Sequence, residues 1–383
     1  MIAPTAAMAV GDRLATFRHD VQHVILVLSG KGGVGKSTVA CQLAMGLAAS
    51  RRTASGNFPR VGILDIDICG PSVPKICGAE QASVTRDVAT GRLRPVHVKL
   101  LGGSTLKETQ SGVHPLSRGG HDDDDVNVDM DDDDAVASGG VGGAPRGASS
   151  SVGPSLTVMS IAYLLPNATD AVVWRGPRKT EMIRQFVLDV EWGPLDYLIV
   201  DTPPGTSDEH MTICELLGPL NPTGAVIVTT PQMVSTDDVR KELSFCHKLK
   251  LRCLGIVENM SGFVCPHCAE CTAIFSSGGG RKLCEMYDAT FLGAIPIDPA
   301  LCVAEDEGRQ TFVSQLIMNS SSSSSDAPVN ATATTAAAEG PPEGLLGGRP
   351  PPPSCSAAAF VGVIGEILKQ VARVDSLSPQ RSD

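Results

Sequence analysis

Three short segments of this 383-residue chain combine residue types and spacings that could do chemistry. The first is Gly30-Lys31-Gly32-Gly33-Val34-Gly35-Lys36-Ser37, which satisfies GxxxxGK[ST]. Glycines in such a loop let successive backbone N–H groups converge on phosphate oxygens without Cβ clashes. Lys36 is placed to reach β- and γ-phosphates, and the Ser37 hydroxyl to bind Mg²⁺. A helix opening at this point adds the partial positive charge of its N-terminus. The nucleotide-binding set is therefore Gly30, Lys31, Gly32, Gly33, Val34, Gly35, Lys36, Ser37 and Thr38.

The second group is acidic. Asp65-Ile66-Asp67 follows the largely apolar run Val61 to Leu64, which places both aspartates at the carboxyl end of a strand. There an aspartate can orient water or hold the magnesium shell. Asp201 follows Tyr197-Leu198-Ile199-Val200 in the same way and has the Walker B form, with Mg²⁺ shared with Ser37. Thr202-Pro203-Pro204-Gly205-Thr206 is stiff at its prolines and permissive at its glycine, as a phosphate-sensing switch would be. Asp67 is the residue read as orienting the water that attacks the γ-phosphate, with charge spread onto Lys36, Lys31 and magnesium.

The third is Cys265-Pro266-His267-Cys268-Ala269-Glu270-Cys271. One reading is a thioredoxin-type redox pair, although no thioredoxin-like unit surrounds it and a third cysteine follows. A second is a zinc knuckle on Cys265, Cys268 and Cys271, with His267 or Cys284 completing it. A third is half of a shared site, in which two thiolates from each of two subunits make the four that a [4Fe–4S] cluster requires.

These segments need a scaffold, and the apolar pattern supplies one. Val24 to Leu28 is a continuous apolar run leading into the glycine loop, with a helix starting near Lys36. Val61 to Leu64, Leu198 to Val200, Ala225 to Val228 and Leu254 to Val257 read as further buried parallel strands. Amphipathic stretches of helix length, Arg178 to Val190 and Thr236 to Lys250, lie between them. The alternation predicts an α/β fold with a doubly wound, mostly parallel sheet and sites at the carboxyl ends of its strands.

Two segments stand apart from that core. Residues 102–154 are rich in Gly, Ser and Asp, and residues 319–356 run through Ser, Ala and Pro tracts, so both read as disordered insertions. Residues 21–101 and 155–318 form the nucleotide-binding domain, 1–20 an N-terminal extension and 376–383 a tail. Residues 357–375 return as a C-terminal helix that packs on the core through Phe360, Val363, Ile364, Ile367, Leu368 and Val371.

The nine aspartates between Asp122 and Asp134 account for all but −2 of the formal net charge of −11. The core is thus nearly neutral, which argues against nucleic-acid binding through a basic face. No apolar run approaches the ~20 residues of a membrane span, and the first twenty residues lack a secretory signal pattern. Twelve cysteines scattered through helices and strands fit buried thiols plus a metal site in a reducing compartment.

Taken together, GKGGVGKS (Gly30–Ser37), DIDICGPSVP (Asp65–Pro74), WRGPRK (Trp174–Lys179), DTPPGTSDEH (Asp201–His210), NMSGFVCPHC (Asn259–Cys268) and IFSSGGG (Ile274–Gly280) resemble the Mrp family of iron–sulfur cluster carriers. The loop itself resembles the deviant Walker A type, in which a lysine at the position of Lys31 reaches the partner subunit's nucleotide across a dimer. The resemblance implies a cytoplasmic, ATP-dependent scaffold with slow ATPase activity, which assembles a bridging [4Fe–4S] cluster and delivers it to cytosolic and nuclear apoproteins. It further implies Cys265 and Cys268 as bridging ligands, Cys271 as an extra ligand or a bystander, and Asn259 as an adenine contact. No cysteine precedes Cys41, so the four-cysteine N-terminal motif of the larger cytosolic scaffold subunits is not seen. The CPHCAECT form resembles the shorter cytosolic partner, which implies a heterotetramer with the larger paralogue, or otherwise a homodimer, serving downstream targeting factors. Two other classes stand beside this one. The first is a MinD- or ParA-like positioning ATPase, which would want a basic terminal helix. The other is an NTPase with a structural zinc knuckle.

Overall fold

The computed structural model describes residues 10–50, 57–68, 70–100, 153–165, 176–265, 271–310 and 355–377. The chain opens with α1 (Val10–Asp20), β1 (Val21–Leu28), α2 (Lys36–Ala49), β2 (Val61–Asp65) and the single-turn α3 (Val73–Ile76). There follow the short ribbon β3 (Thr85–Arg86) and β4 (Leu93–Arg94), then β5 (Val96–Lys99), β6 (Ser155–Ser160), α4 (Gly176–Leu188), β7 (Leu195–Asp201) and α5 (Asp208–Leu217). Next come β8 (Gly224–Thr229), α6 (Met233–Lys248), the long β9 (Cys253–Val264) and its short return β10 (Cys271–Thr272). The described chain closes with α7 (Gly279–Tyr287), β11 (Phe291–Ile297), α8 (Pro299–Asp306) and α9 (Cys355–Leu377).

The main sheet runs β10-β9-β8-β1-β7-β2-β6-β5, with β11 alongside β9. β1 lies in the middle, parallel to β7 on one side and to β8 on the other. The strand order reverses there, the place where open α/β sheets bind ligands. β2 is parallel to β7 and β6, and β9 is parallel to β8 and β11. Only β5 and β10 run antiparallel to their neighbours in this sheet.

Alternation along β1 explains why its sequence is apolar throughout. Ile25 and Val27 face one buried layer, with Leu43 and Leu47 of α2, Ile63, Val158 and Ile199. Val24, Leu26 and Leu28 face the other, with Phe186, Trp192, Val200, Ile213 and Val239. A strand covered by helices on both faces has no solvent side on which to place polar residues. The same layers hold α9, whose Phe360, Val363, Ile364, Ile367 and Val371 are buried in the first, with Leu368 packed against it. α9 lies so close to β11 that a Cβ on Gly293 would sit 2.7 Å from Val363 Cγ2.

The structure adds elements that the sequence pattern does not announce. The stretch read as an extension carries α1, with Phe17 buried in the second layer and Arg13 paired with Asp189 below α4. The edge strand β5 alternates between half-buried and exposed residues over only four positions, too short a signal to read. The insertions read at 102–154 and 319–356 lie, apart from their last two residues, outside the described residues, as does the tail beyond 377. No helix among the described residues is long and apolar enough to cross a membrane.

Candidate functional site

The phosphate loop joins β1 to α2, and its shape depends on glycine at two contacts. A Cβ on Gly30 would lie 2.6 Å from Asp238 Cβ, where α6 presses on the loop. Gly35, at φ 78°, leaves no room for one either, because Asn259 Nδ2 would be 2.2 Å away. Asn259 Nδ2 instead donates to the Val34 carbonyl at 2.9 Å, tying β9 to the loop. Lys36 is buried, and its Nζ donates to Asp201 Oδ1 at 2.5 Å and to Ser37 Oγ at 3.4 Å. Lys31 stands half-exposed with no carboxylate in ion-pair range among the described residues. The Thr38 hydroxyl is already engaged, donating to Glu305 Oε2 at 2.8 Å, so only its backbone N–H is left to face a phosphate.

Register brings the carboxylates together. Asp65 and Asp201 are direct neighbours across the β2–β7 pair, and Asp67 follows in the loop. Asp65 Oδ1 accepts from the Asp67 backbone N–H at 3.0 Å and Oδ2 from Ser160 Oγ at 2.9 Å. Burial first, and the charge of Asp201 second, push Asp65 up to about 8. Burial also raises Asp201, while Lys36 pulls it back. Asp201 Oδ2 is buried with no hydrogen-bond partner among the described residues. An unpaired carboxylate oxygen at this depth beside Ser37 fits the outer face of a hydrated magnesium ion.

The segment after Asp201 folds back on the phosphate loop. Gly205 N–H donates to Ser29 O at 2.7 Å, and the Thr202 hydroxyl to Val27 O at 2.8 Å. Ser207 caps α5, with His210 completing the box. Lys179, at the start of α4, pairs with Glu209 at 2.8 Å, and Thr180 lies 3.2 Å from Thr212. These contacts tie the start of α4 to α5, the helix that follows the switch loop, while Trp174 and Arg175 lie outside the described residues.

The cysteine segment sits at the far end of β9. Cys265 is half-buried immediately after the strand, Cys268 lies outside the described residues, and Cys271 is exposed on β10. Val264 and Cys271 are cross-strand partners, and Cys271 Sγ lies over Gly262, 2.8 Å from where its Cβ would be. Paired residues share a face of a ribbon, so Cys271 sits on the Gly262–Val264 face, which successive residues alternate away from. No group of three or more His, Cys, Asp or Glu is placed to hold a metal among the described residues. Cys284, one of the two candidates for the remaining ligand of the knuckle reading beside His267, is buried in the core beside Leu283, and burial pushes its thiol up to about 11.

Two residues that sequence reasoning passed over organise this region. Glu258 is buried, and its carboxylate accepts from Ser261 Oγ at 2.6 Å, Gly278 N at 3.1 Å and Gly280 N at 2.6 Å. It fastens the glycine run of IFSSGGG, and with it the start of α7, to β9. The signal was a lone acid closing the apolar run Gly255-Ile256-Val257. The other is His210, at the third position of a helix opened by Ser207, where a capping box places a side chain that reaches back.

Residues 20–108 and 146–331 match the ParA-group family described as NUBPL iron-transfer P-loop NTPases. The chain is 46% identical over 288 residues to the human cytosolic Fe-S cluster assembly factor NUBP2, covering 75% of this chain and 84% of that protein. It is also 46% identical over 293 residues to the cytosolic Fe-S cluster assembly factor CFD1 of Chaetomium globosum, covering 76% and 78%. Among solved structures, the nucleotide-binding protein of Archaeoglobus fulgidus in complex with ADP, with cobalt, superposes with a TM-score of 0.53 at 33% identity. That match covers 78% of this chain and 91% of the archaeal one.

Proposed function

The chain belongs to the NUBPL iron-transfer family of P-loop NTPases, and from that premise we propose that it is an ATP-dependent scaffold that assembles a [4Fe–4S] cluster as cargo and passes it to apoproteins. One observation carries the reading. β9 holds the phosphate loop at Asn259, through the bond to Val34 O, and presents Cys265 just past its end. β9 continues from Asn259 to the residue before Cys265, turning at Met260 and Gly262 where φ is positive, so nucleotide and cargo sites share one strand.

In this reading Ser37 and the unpaired Oδ2 of Asp201 hold magnesium, directly or through water. Lys36 turns from Asp201 Oδ1 toward the β- and γ-phosphates, exchanging one anionic partner for another. Asp67 orients the attacking water, and Lys31 reaches the nucleotide of a second subunit. Asn259, with one amide hydrogen committed to Val34, turns its remaining capacity toward adenine. Hydrolysis is slow because its task is to change the loop Asp201–Asp208 rather than to turn over a metabolite.

Cys265 and Cys268 supply two thiolates, and the same pair from a second subunit completes four. That subunit is the larger cytosolic paralogue, in a heterotetramer, or a second copy of this chain. The human and fungal relatives are named as cytosolic factors, which supports the cytosol as its compartment. Membrane or DNA positioning is the weaker reading, because nothing in it calls for two cysteines spaced as Cys265 and Cys268 are in the sequence.

The test is iron, sulfide and zinc content of protein purified without oxygen, alone and with the larger paralogue. About four irons and four sulfides per dimer, lost in Cys265→Ser and Cys268→Ser, are expected. About one zinc per chain, with no visible absorption after reconstitution with iron and sulfide, would overturn the scaffold reading and leave a structural knuckle.

A further inference from the structure

His210 is fully buried at the third position of α5 and, beyond completing its cap, has no part in the nucleotide chemistry described above. Its Nδ1 lies 3.2 Å from the Ser207 backbone N and 3.1 Å from Ser207 Oγ, and its Nε2 lies 3.1 Å from Thr202 Oγ1. A backbone N–H can only donate, so Nδ1 accepts and the ring proton sits on Nε2. Nε2–H then donates to Thr202 Oγ1, whose own proton goes to Val27 O on β1. Burial pushes the imidazole down to about 4, so the ring stays neutral and its tautomer is set by these bonds.

The bonded series joins both ends of the loop 203–206 and ties them to the strand that leads into the phosphate loop. Within that loop Gly205 N–H is bonded to Ser29 O, and Pro204 would be 3.9 Å from a Cβ on Gly32. Thr202 directly follows Asp201, so its orientation bears on where the Asp201 carboxylate points. Phe245 of α6 meets the imidazole edge-on at 6.0 Å between ring centroids, which limits its rotation.

We infer that His210 is a positioning residue whose imidazole, bonded to Ser207 at one nitrogen and to Thr202 at the other, holds the switch loop against the phosphate loop in the arrangement hydrolysis requires. The inference rests on the ATPase reading above. Chemistry distinguishes the replacements. In His210→Gln, Oε1 can accept from Ser207 N–H while Nε2 donates to Thr202. His210→Leu fills the space with no polar atom, and His210→Ala removes the ring and its bonds together, so each leaves the Ser207 N–H without its acceptor and Thr202 Oγ1 without its donor.

The experiment measures MgATP affinity, kcat and thermal unfolding for the full chain and these three variants. Affinity is expected to stay within about twofold throughout, because the phosphate-binding N–H groups and Lys36 are untouched. Turnover is expected to fall about tenfold or more in His210→Ala and His210→Leu, and to return to within about threefold of wild type in His210→Gln. A wild type that neither binds nor hydrolyses ATP overturns the ATPase reading and this inference with it. An active wild type alongside a fully active His210→Ala overturns the inference alone. Equal turnover in His210→Gln and His210→Leu overturns it too, since both fill the space and only glutamine restores the two bonds. Should His210→Ala fail to fold, the contrast between His210→Gln and His210→Leu decides the matter on the same terms.

Discussion

Asp65→Asn should make the protein more stable at neutral pH, because Asp65 is a buried acid that holds its proton. Its folded-state value is about 8, against an ordinary value of 3.8. An acid raised by folding contributes stability that is fully present below the unfolded value and lost as pH rises through the folded one. Between these limits the folded protein binds one more proton than the unfolded chain, at about 1.36 kcal/mol per pH unit. Near pH 7, roughly three units above 3.8, the accumulated loss is about 4 kcal/mol. An asparagine avoids that loss and can keep both bonds, with Oδ1 accepting from Asp67 N–H and Nδ2 donating to Ser160 Oγ. Other raised acids contribute slopes of their own, so the difference between the two proteins isolates Asp65. Urea unfolding of both proteins at about pH 5, 7 and 8.5 is the assay. The variant's advantage should widen from about pH 5 to 7 and level off above 8. Parallel pH profiles, or a variant less stable than wild type at neutral pH, would refute the protonated assignment and the argument from burial behind it. A natural chain that tolerates this loss at the carboxyl end of β2 holds an unstable group where nucleotide chemistry is proposed.

Three further expectations follow from the same geometry. Lys31→Ala should lower ATP hydrolysis much more than ATP binding, since Lys31 is half-exposed on the loop and is proposed to serve a second subunit; steady-state kinetics beside a binding titration will show whether the order is reversed. Asn259→Ala removes the side-chain bond from β9 to Val34 O, and a buried carbonyl left unpaired costs about 1–3 kcal/mol, so nucleotide affinity should weaken by roughly 5- to 150-fold by calorimetry. Cys284→Ala should leave iron content unchanged and lower stability by about 1–2 kcal/mol, because that thiol fills core space beside Leu283. Loss of iron from the variant would restore Cys284 as a ligand.

The phosphate loop, Asp201 and the central strands were legible in the sequence because each is a local arrangement. Glycines at fixed offsets must bend a loop, and a strand buried on both faces must be apolar, whatever the rest of the chain does. What register decides is not local. That Asp65 and Asp201 stand side by side, that burial and the charge of Asp201 push Asp65 toward its protonated form, and that Glu258 closes on Gly278 and Gly280 all depend on residues far apart in the chain. His210 belongs to the same class. Its motif was plain from the sequence, but its neutral state and its two bonds required Thr202, Ser207 and a dry interior to meet. Residue type and spacing determine which chemistry is available, whereas burial and register determine protonation and direction, because both are set by neighbours that only the folded chain supplies.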